Sequence, residues 1–191
     1  LAAFFYERMK MSKSQKNSEK FSLALRFFHW TGVPLMVVVY ASVWMRKLFE
    51  KDTPERKLMM SLHFGLGVLL LAWLLFRLVA YFASPKPPIV PAVPSWQKRA
   101  LKLMQGAQWG LMAVLPLSGW LMVNAKGRAV EIYSLGISLP TLIGKNDFVA
   151  KMLGNMHAPM GMALLLLIVL HTGMALWHHF FKKDNALKRM L

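Results

Sequence analysis

The sequence predicts an all-α protein, an integral membrane four-helix bundle. Two observations carry that prediction: 56% of the 191 residues are hydrophobic, giving a mean hydropathy of +0.40, and the apolar residues gather into four separate runs. Soluble domains have roughly 45–50% apolar and about 25% charged residues, against 17% charged here. A helix needs about 20 mostly apolar residues to cross roughly 30 Å of hydrocarbon, where each unpaired backbone group costs several kcal/mol.

The elements follow in chain order. Residues 1–20 carry Lys and Glu without a long apolar stretch and read as a cytoplasmic segment, not a cleavable secretion signal. The first run is Phe27–Met45 and the second Leu62–Phe82. Between the second and third, Ser84–Pro94 holds Pro85, Pro87, Pro88, Pro91 and Pro94, which predicts an extended linker across the cytoplasmic face. The third run, Trp109–Val123, is short and is extended by the weakly polar residues before it; the fourth is Met160–Phe181. Residues 21–181 thus form one membrane domain, followed by a basic tail, 182–191, with no room for a second globular unit. Fourteen Lys and Arg fall in 1–26, 84–105 and 182–191, against nine in the other two connections, which predicts an inner-membrane protein with both termini cytoplasmic. The net charge of +16 flanks apolar runs and does not form a patch with interleaved aromatics, so the expected partner is membrane lipid and not nucleic acid.

The chain has no cysteine, which excludes disulfides, thiolate metal sites, iron–sulfur clusters and covalently attached haem. Asp and Glu are absent from all four runs, against the needs of a proton-relay pump or ion-coupled transporter. All six histidines, by contrast, lie in or at the ends of the runs: His29, His63, His157, His171, His178 and His179. An ionisable residue in lipid is costly and usually functional. Fourteen residues separate His157 from His171, a spacing that returns to nearly the same helix face about 21 Å along the axis. His63 opens the second run at the depth of His157. His29 lies at the other depth, where His171 faces it, or His178 about 10 Å further on. Two cross-helix imidazole pairs at two depths suit haem iron, which takes one axial ligand on each porphyrin face. Gly32, Gly65, Gly67, Gly161 and Gly173 lie within about a turn of these histidines, where they permit close approach of a porphyrin or of a neighbouring helix.

Four passages resemble the bacterial cytochrome b561 family: Arg26–Phe27–Phe28–His29–Trp30; Leu62–His63–Phe64–Gly65; Ser118–Gly119–Trp120–Leu121 with the Gly127 loop; and His157 through His178–His179 to Lys183–Asp184–Asn185–Ala186–Leu187–Lys188–Arg189–Met190. The resemblance implies two non-covalent haem b groups with His29, His63, His157 and His171 as axial ligands, and so favours His171 over His178. It also implies a membrane oxidoreductase that moves electrons between the periplasmic side and the quinone pool, by superoxide oxidation coupled to ubiquinone reduction. The alternative is a cytochrome b subunit that oxidises quinol and feeds a separate periplasmic or membrane redox partner. Electrons are expected to enter at the His63–His157 haem and leave from the His29–His171 haem.

Arg26, three residues before His29, is expected to meet a haem propionate, and Arg77, fourteen residues after His63, a propionate or the quinone. His178 is expected to be free at the cytoplasmic haem edge, to hydrogen-bond quinone or pass a proton, or else to anchor the helix end with Trp177 and His179. The connection 124–156, with Lys126, Arg128, Lys145 and Lys151 against Glu131 and Asp147, is expected to form a cationic mouth over the outer haem. Some relatives carry histidine near the start of the third helix, where this chain has Gln105 and Gln108.

Overall fold

Side-chain caps start three of the four helices in the computed structural model, which describes residues 20–132 and 136–191. Ser22 accepts from the Leu25 N–H ahead of α1 (Leu23–Met45), Thr53 from Arg56 ahead of α2 (Pro54–Ala83), and Asn146 from Val149 ahead of α4 (Asp147–Trp177). Pro54 at the first position of α2, and Glu55 and Asp147 in first turns, add fixed φ and favourable charge there. Only α3 (Ser95–Ala125) lacks a side-chain cap; it begins directly after Pro94. Residues 1–19, most of the expected cytoplasmic segment, lie outside the described residues.

All four helices are long and apolar enough to cross a membrane. Three begin well before their apolar runs. α2 starts at Pro54, α3 at Ser95 and α4 at Asp147, because capping and proline geometry set a helix start whereas apolarity marks only the part in hydrocarbon. Lys98, Arg99 and Lys102, which the charge count grouped with the connection 84–105, therefore lie on α3. Large apolar side chains such as Phe76, Val79, Phe82, Leu103 and Leu166 are exposed on the bundle's outside, an arrangement suited to lipid.

α1 packs on α2, α3 on α4, and α2 on α3, while α1 and α4 make almost no close backbone approach. The core is a short plug of Leu70, Leu74, Met112 and Leu164, with Leu35, Met36 and Ile168 against it. Gln108, buried on α3, donates to the Leu167 carbonyl of α4 at 3.1 Å, and Tyr81 meets Trp109 edge-on at 4.7 Å. Near the start of α1, Phe28 packs on Trp73 of α2, whose indole N–H reaches the Phe28 carbonyl.

The two ends are closed differently. At the upper end, away from residue 20, the α3–α4 connection is a folded lid with an antiparallel pair, β1 (Glu131–Ile132) and β2 (Ile137–Ser138). Buried Asn124 ties the lid down by donating to the Arg128 carbonyl and accepting from the Leu142 N–H. At the lower end, α4 runs into a π-helical turn, His178–Lys182, stopped by Lys183 in the left-handed region at φ 53°. The chain then folds back: Asn185 bonds the backbone of Val90, Arg189 donates to the Pro87 carbonyl, and the Trp30 indole donates to the Met190 carbonyl.

The plug supplies the first prediction. Leu164→Ala should cost about 2–5 kcal/mol of stability as the cavity it leaves stays open, whereas exposed Leu166→Ala should cost no more than about 0.5 kcal/mol. Denaturation of the two variants in the same detergent checks the contrast.

Candidate functional site

Four of the six histidines form two facing pairs, one at each end of the plug. At the upper level His63 of α2 faces His157 of α4, ring centres 6.2 Å apart and planes at 84°. At the lower level His29 of α1 faces His171 of α4, also 6.2 Å apart, at 71°. Two imidazoles bound to opposite sides of one metal, each by a bond of about 2 Å, have ring centres about 6 Å apart. Both pairs match that spacing. Among the described residues no three His, Asp or Glu come together to hold a metal ion. Each pair therefore fits a metal that arrives with its own equatorial donors, as haem iron does.

Hydrogen bonds decide which ring nitrogen is available. The His63 Nδ1 lies 3.4 Å from the Val39 carbonyl, an acceptor only, so Nδ1 carries the proton and Nε2 keeps its lone pair. Ser118 reaches the same result for His157. Its single hydroxyl proton goes to the Leu115 carbonyl, 2.9 Å away, so its oxygen accepts from His157 Nδ1 at 3.1 Å. Such bonds to the non-ligating nitrogen orient metal-binding histidines. A cavity of 450 Å³ opens beside this pair, lined by Tyr40, Arg46, Gly67, Gly119 and Gly161 among others, and cofactor-sized ligands occupy roughly 300–1,000 Å³. A methyl group added at Gly67 or Gly161 would meet nothing within 4 Å, whereas one at Gly119 would press the His157 ring at 3.2 Å.

The lower pair is held otherwise. Arg77 Nη2 lies 2.9 Å from His29 Nδ1, and because a guanidinium only donates, Nδ1 here is the acceptor. The neutral ring then has its proton on Nε2. His171 Nδ1 and Arg77 Nε are both buried without partners. A carboxylate-bearing planar ligand fits these orphaned groups.

The remaining sequence expectations are placed as follows. Arg26 has no side-chain partner among the described residues and lines an outward groove with Leu23, Phe27, Trp30, Thr31 and Leu191. His178 is not free: its Nδ1 pairs with the buried Asp184 carboxylate, which also accepts from the Ala186 N–H. His179 packs edge-on against Phe180. Gln108 is spent bridging α3 to α4. The cations lining the upper cavity are Arg46 and Lys47, not those of the α3–α4 connection. Arg46, Tyr40, Ser118 and Asp184 had no assigned role in the sequence; Ser118 stood inside a quoted motif, and Arg46 sat at the end of an apolar run like any flanking cation.

Comparison with known proteins assigns the family. Residues 20–191 match the family described as prokaryotic cytochrome b561. The chain is 28% identical over 172 residues to cytochrome b561 homolog 1 of Escherichia coli K12, covering 90% of this chain and 97% of that protein. It is 28% identical over 174 residues to homolog 2 of the same organism, covering 91% and 92%. It is 27% identical over 176 residues to CybB of Yersinia pestis, a probable superoxide oxidase, covering 91% and 96%. Four spanning helices and a family match over all the described residues place this chain in the prokaryotic cytochrome b561 family of membrane electron-transfer proteins, a family that implies haem b.

Proposed function

We propose that this protein is a di-haem b oxidoreductase that takes electrons from superoxide at the periplasmic side and delivers them to ubiquinone near the cytoplasmic side. The observation that carries the reading is the pair of 6.2 Å imidazole separations at two depths of one bundle. In this reading the upper level is periplasmic and both termini are cytoplasmic. His63 and His157 hold the upper haem, and His29 and His171 the lower. Haem b supplies one-electron transfer. Superoxide gives up one electron and becomes dioxygen, and two such electrons with two protons convert ubiquinone to ubiquinol. Similarity to a probable superoxide oxidase supports the choice of donor.

The chain's own residues supply position and charge. The levels lie about 21 Å apart along α4, and the Leu70–Leu74–Met112–Leu164 plug insulates the space between them. Lys47, exposed at the cavity, and the upper-end cations raise the local concentration of an anion. An imidazole that binds iron through Nε2 has its proton on Nδ1, so Arg77 cannot keep donating to His29. The guanidinium released in this way is placed to pair with a haem propionate. Asp184 fixes the His178 Nδ1 proton, leaving Nε2 to exchange a proton with bound quinone. Arg26, in its outward groove, meets a propionate or a lipid phosphate.

Two measurements test the reading. A superoxide pulse should reduce the b-haem band of the oxidised protein within the mixing time, an effect abolished by superoxide dismutase, and His63→Ala or His157→Ala should lose one haem per chain and this response. A band that quinol alone reduces would make the protein a relay subunit for a separate redox partner. Ser118→Ala frees the His157 ring and should weaken haem retention at the upper level by about 10–100-fold, read as transfer to an apo-haem acceptor. Retention equal to the unsubstituted protein would remove Ser118 from the site.

A further inference from the structure

One half-buried cation of the upper cavity has no binding partner in the scheme above. Arg46 directly follows α1 and lines the cavity shared with His63 and His157. Its Nη1 meets the Met60 sulfur, a weak acceptor, and its buried Nε has no partner. Neighbouring Arg56 is different, because its Nη1 donates to the Phe49 carbonyl at 2.9 Å. Arg189 also has an unpartnered Nε, yet it donates to the Pro87 carbonyl and lies over the Phe21 ring. Only one ion pair, His178–Asp184, is present among the described residues, and it lies at the opposite end. Arg46 thus shares with Arg77 one combination: a half-buried guanidinium, an orphaned Nε, no carboxylate partner, and a place beside a histidine pair.

A half-buried charge at the end of a span, like one inside it, is costly until it is paired. The planar fork of a guanidinium pairs best with a carboxylate, in a bidentate contact. We propose that Arg46 binds the propionate carboxylates of the upper haem and is their counter-charge. The proposal rests on the di-haem reading. Position agrees with chemistry, because Arg46 stands at the upper end of α1 and lines the same cavity as the apolar Met36, Val39, Leu70 and Met112, which would hold the macrocycle while Arg46 would meet its carboxylates. Neighbouring Lys47 is exposed and remains free to attract a diffusing anion. Removing the Arg46 charge disfavours the reduced, more negative form of the upper haem, so its midpoint potential falls. The lower haem, about 21 Å away, keeps its own.

The test compares the unsubstituted protein, Arg46→Gln and Arg46→Lys, all purified with haem. Two quantities are read: haems per chain with their rate of loss to an apo-haem acceptor, and the two midpoint potentials from a spectroelectrochemical titration. His63→Ala, which keeps only the lower haem, assigns the potentials. Arg46→Gln should lower the upper potential alone and weaken retention of that haem about tenfold or more, the scale of a charge-assisted hydrogen bond. Arg46→Lys should restore the potential, because the charge returns, but not the retention, because the fork is lost. If Arg46→Gln does not accumulate, Arg46→Lys decides alone, and undiminished retention in it overturns the proposal. Unchanged potentials and retention in Arg46→Gln overturn it too, even if superoxide turnover slows, since that result would make Arg46 a substrate-attracting charge. Fewer than two haems in the unsubstituted protein would instead defeat the di-haem reading, and the proposal with it.

Discussion

Two imidazoles can face each other at 6.2 Å inside an apolar bundle only where the helices that carry them do not close on one another. Buried side chains normally fill such space to crystal-like density, and here a cluster of buried apolar side chains lies in the plug between the levels. α1 is instead tied by single long-reach contacts, one to α4 and one to the C-terminal tail. The Tyr40 hydroxyl donates to the Gly161 carbonyl at 2.6 Å, and the Trp30 indole to the Met190 carbonyl at 2.7 Å. The fold is a frame of two tight helix pairs, α1–α2 and α3–α4, joined where α2 packs on α3 and by the plug that α2, α3 and α4 share.

Identical spacing at the two levels conceals a difference in readiness. Val39 and Ser118 hold the upper rings with protons on Nδ1, the tautomer a metal bound at Nε2 requires. Arg77 holds His29 in the opposite tautomer. In the proposed di-haem state the upper level is preorganised, whereas the lower one must exchange a hydrogen bond between two side chains for a bond to iron and an ion pair. The exchange is local, because Arg77 and His29 are already in contact.

Much of this was legible in the sequence, for reasons that differ by residue. The spans were visible because lipid demands continuous apolar helix, and the two ligand levels on one face of α4 because fourteen residues return a helix to the same face. Depth alone left His29 between His171 and His178, and only the family resemblance favoured His171. The exact start of α3 was not visible, since the weakly polar residues Ser95–Gln108 that extend its apolar run carry no sharp boundary. The partner of His178 was hidden for another reason: Asp184 reaches it only because Lys183 turns left-handed after the π turn. Arg46 was the hardest to read. Its distinction is that, among the described residues, no other helix brings it a carboxylate, a property of the bundle that its own sequence neighbourhood does not encode.

α4 contributes one histidine to each pair, while the facing rings come from α1 and α2. During synthesis the first three helices can enter the membrane, and α2 can settle between α1 and α3, with both receptacles still one-sided. In the proposed di-haem state neither level can grip iron from two faces until α4 arrives, and its arrival completes both together. Cofactor capture and the last step of bundle assembly are then a single event, so a chain arrested before α4 would be an inserted membrane protein with no lasting hold on haem.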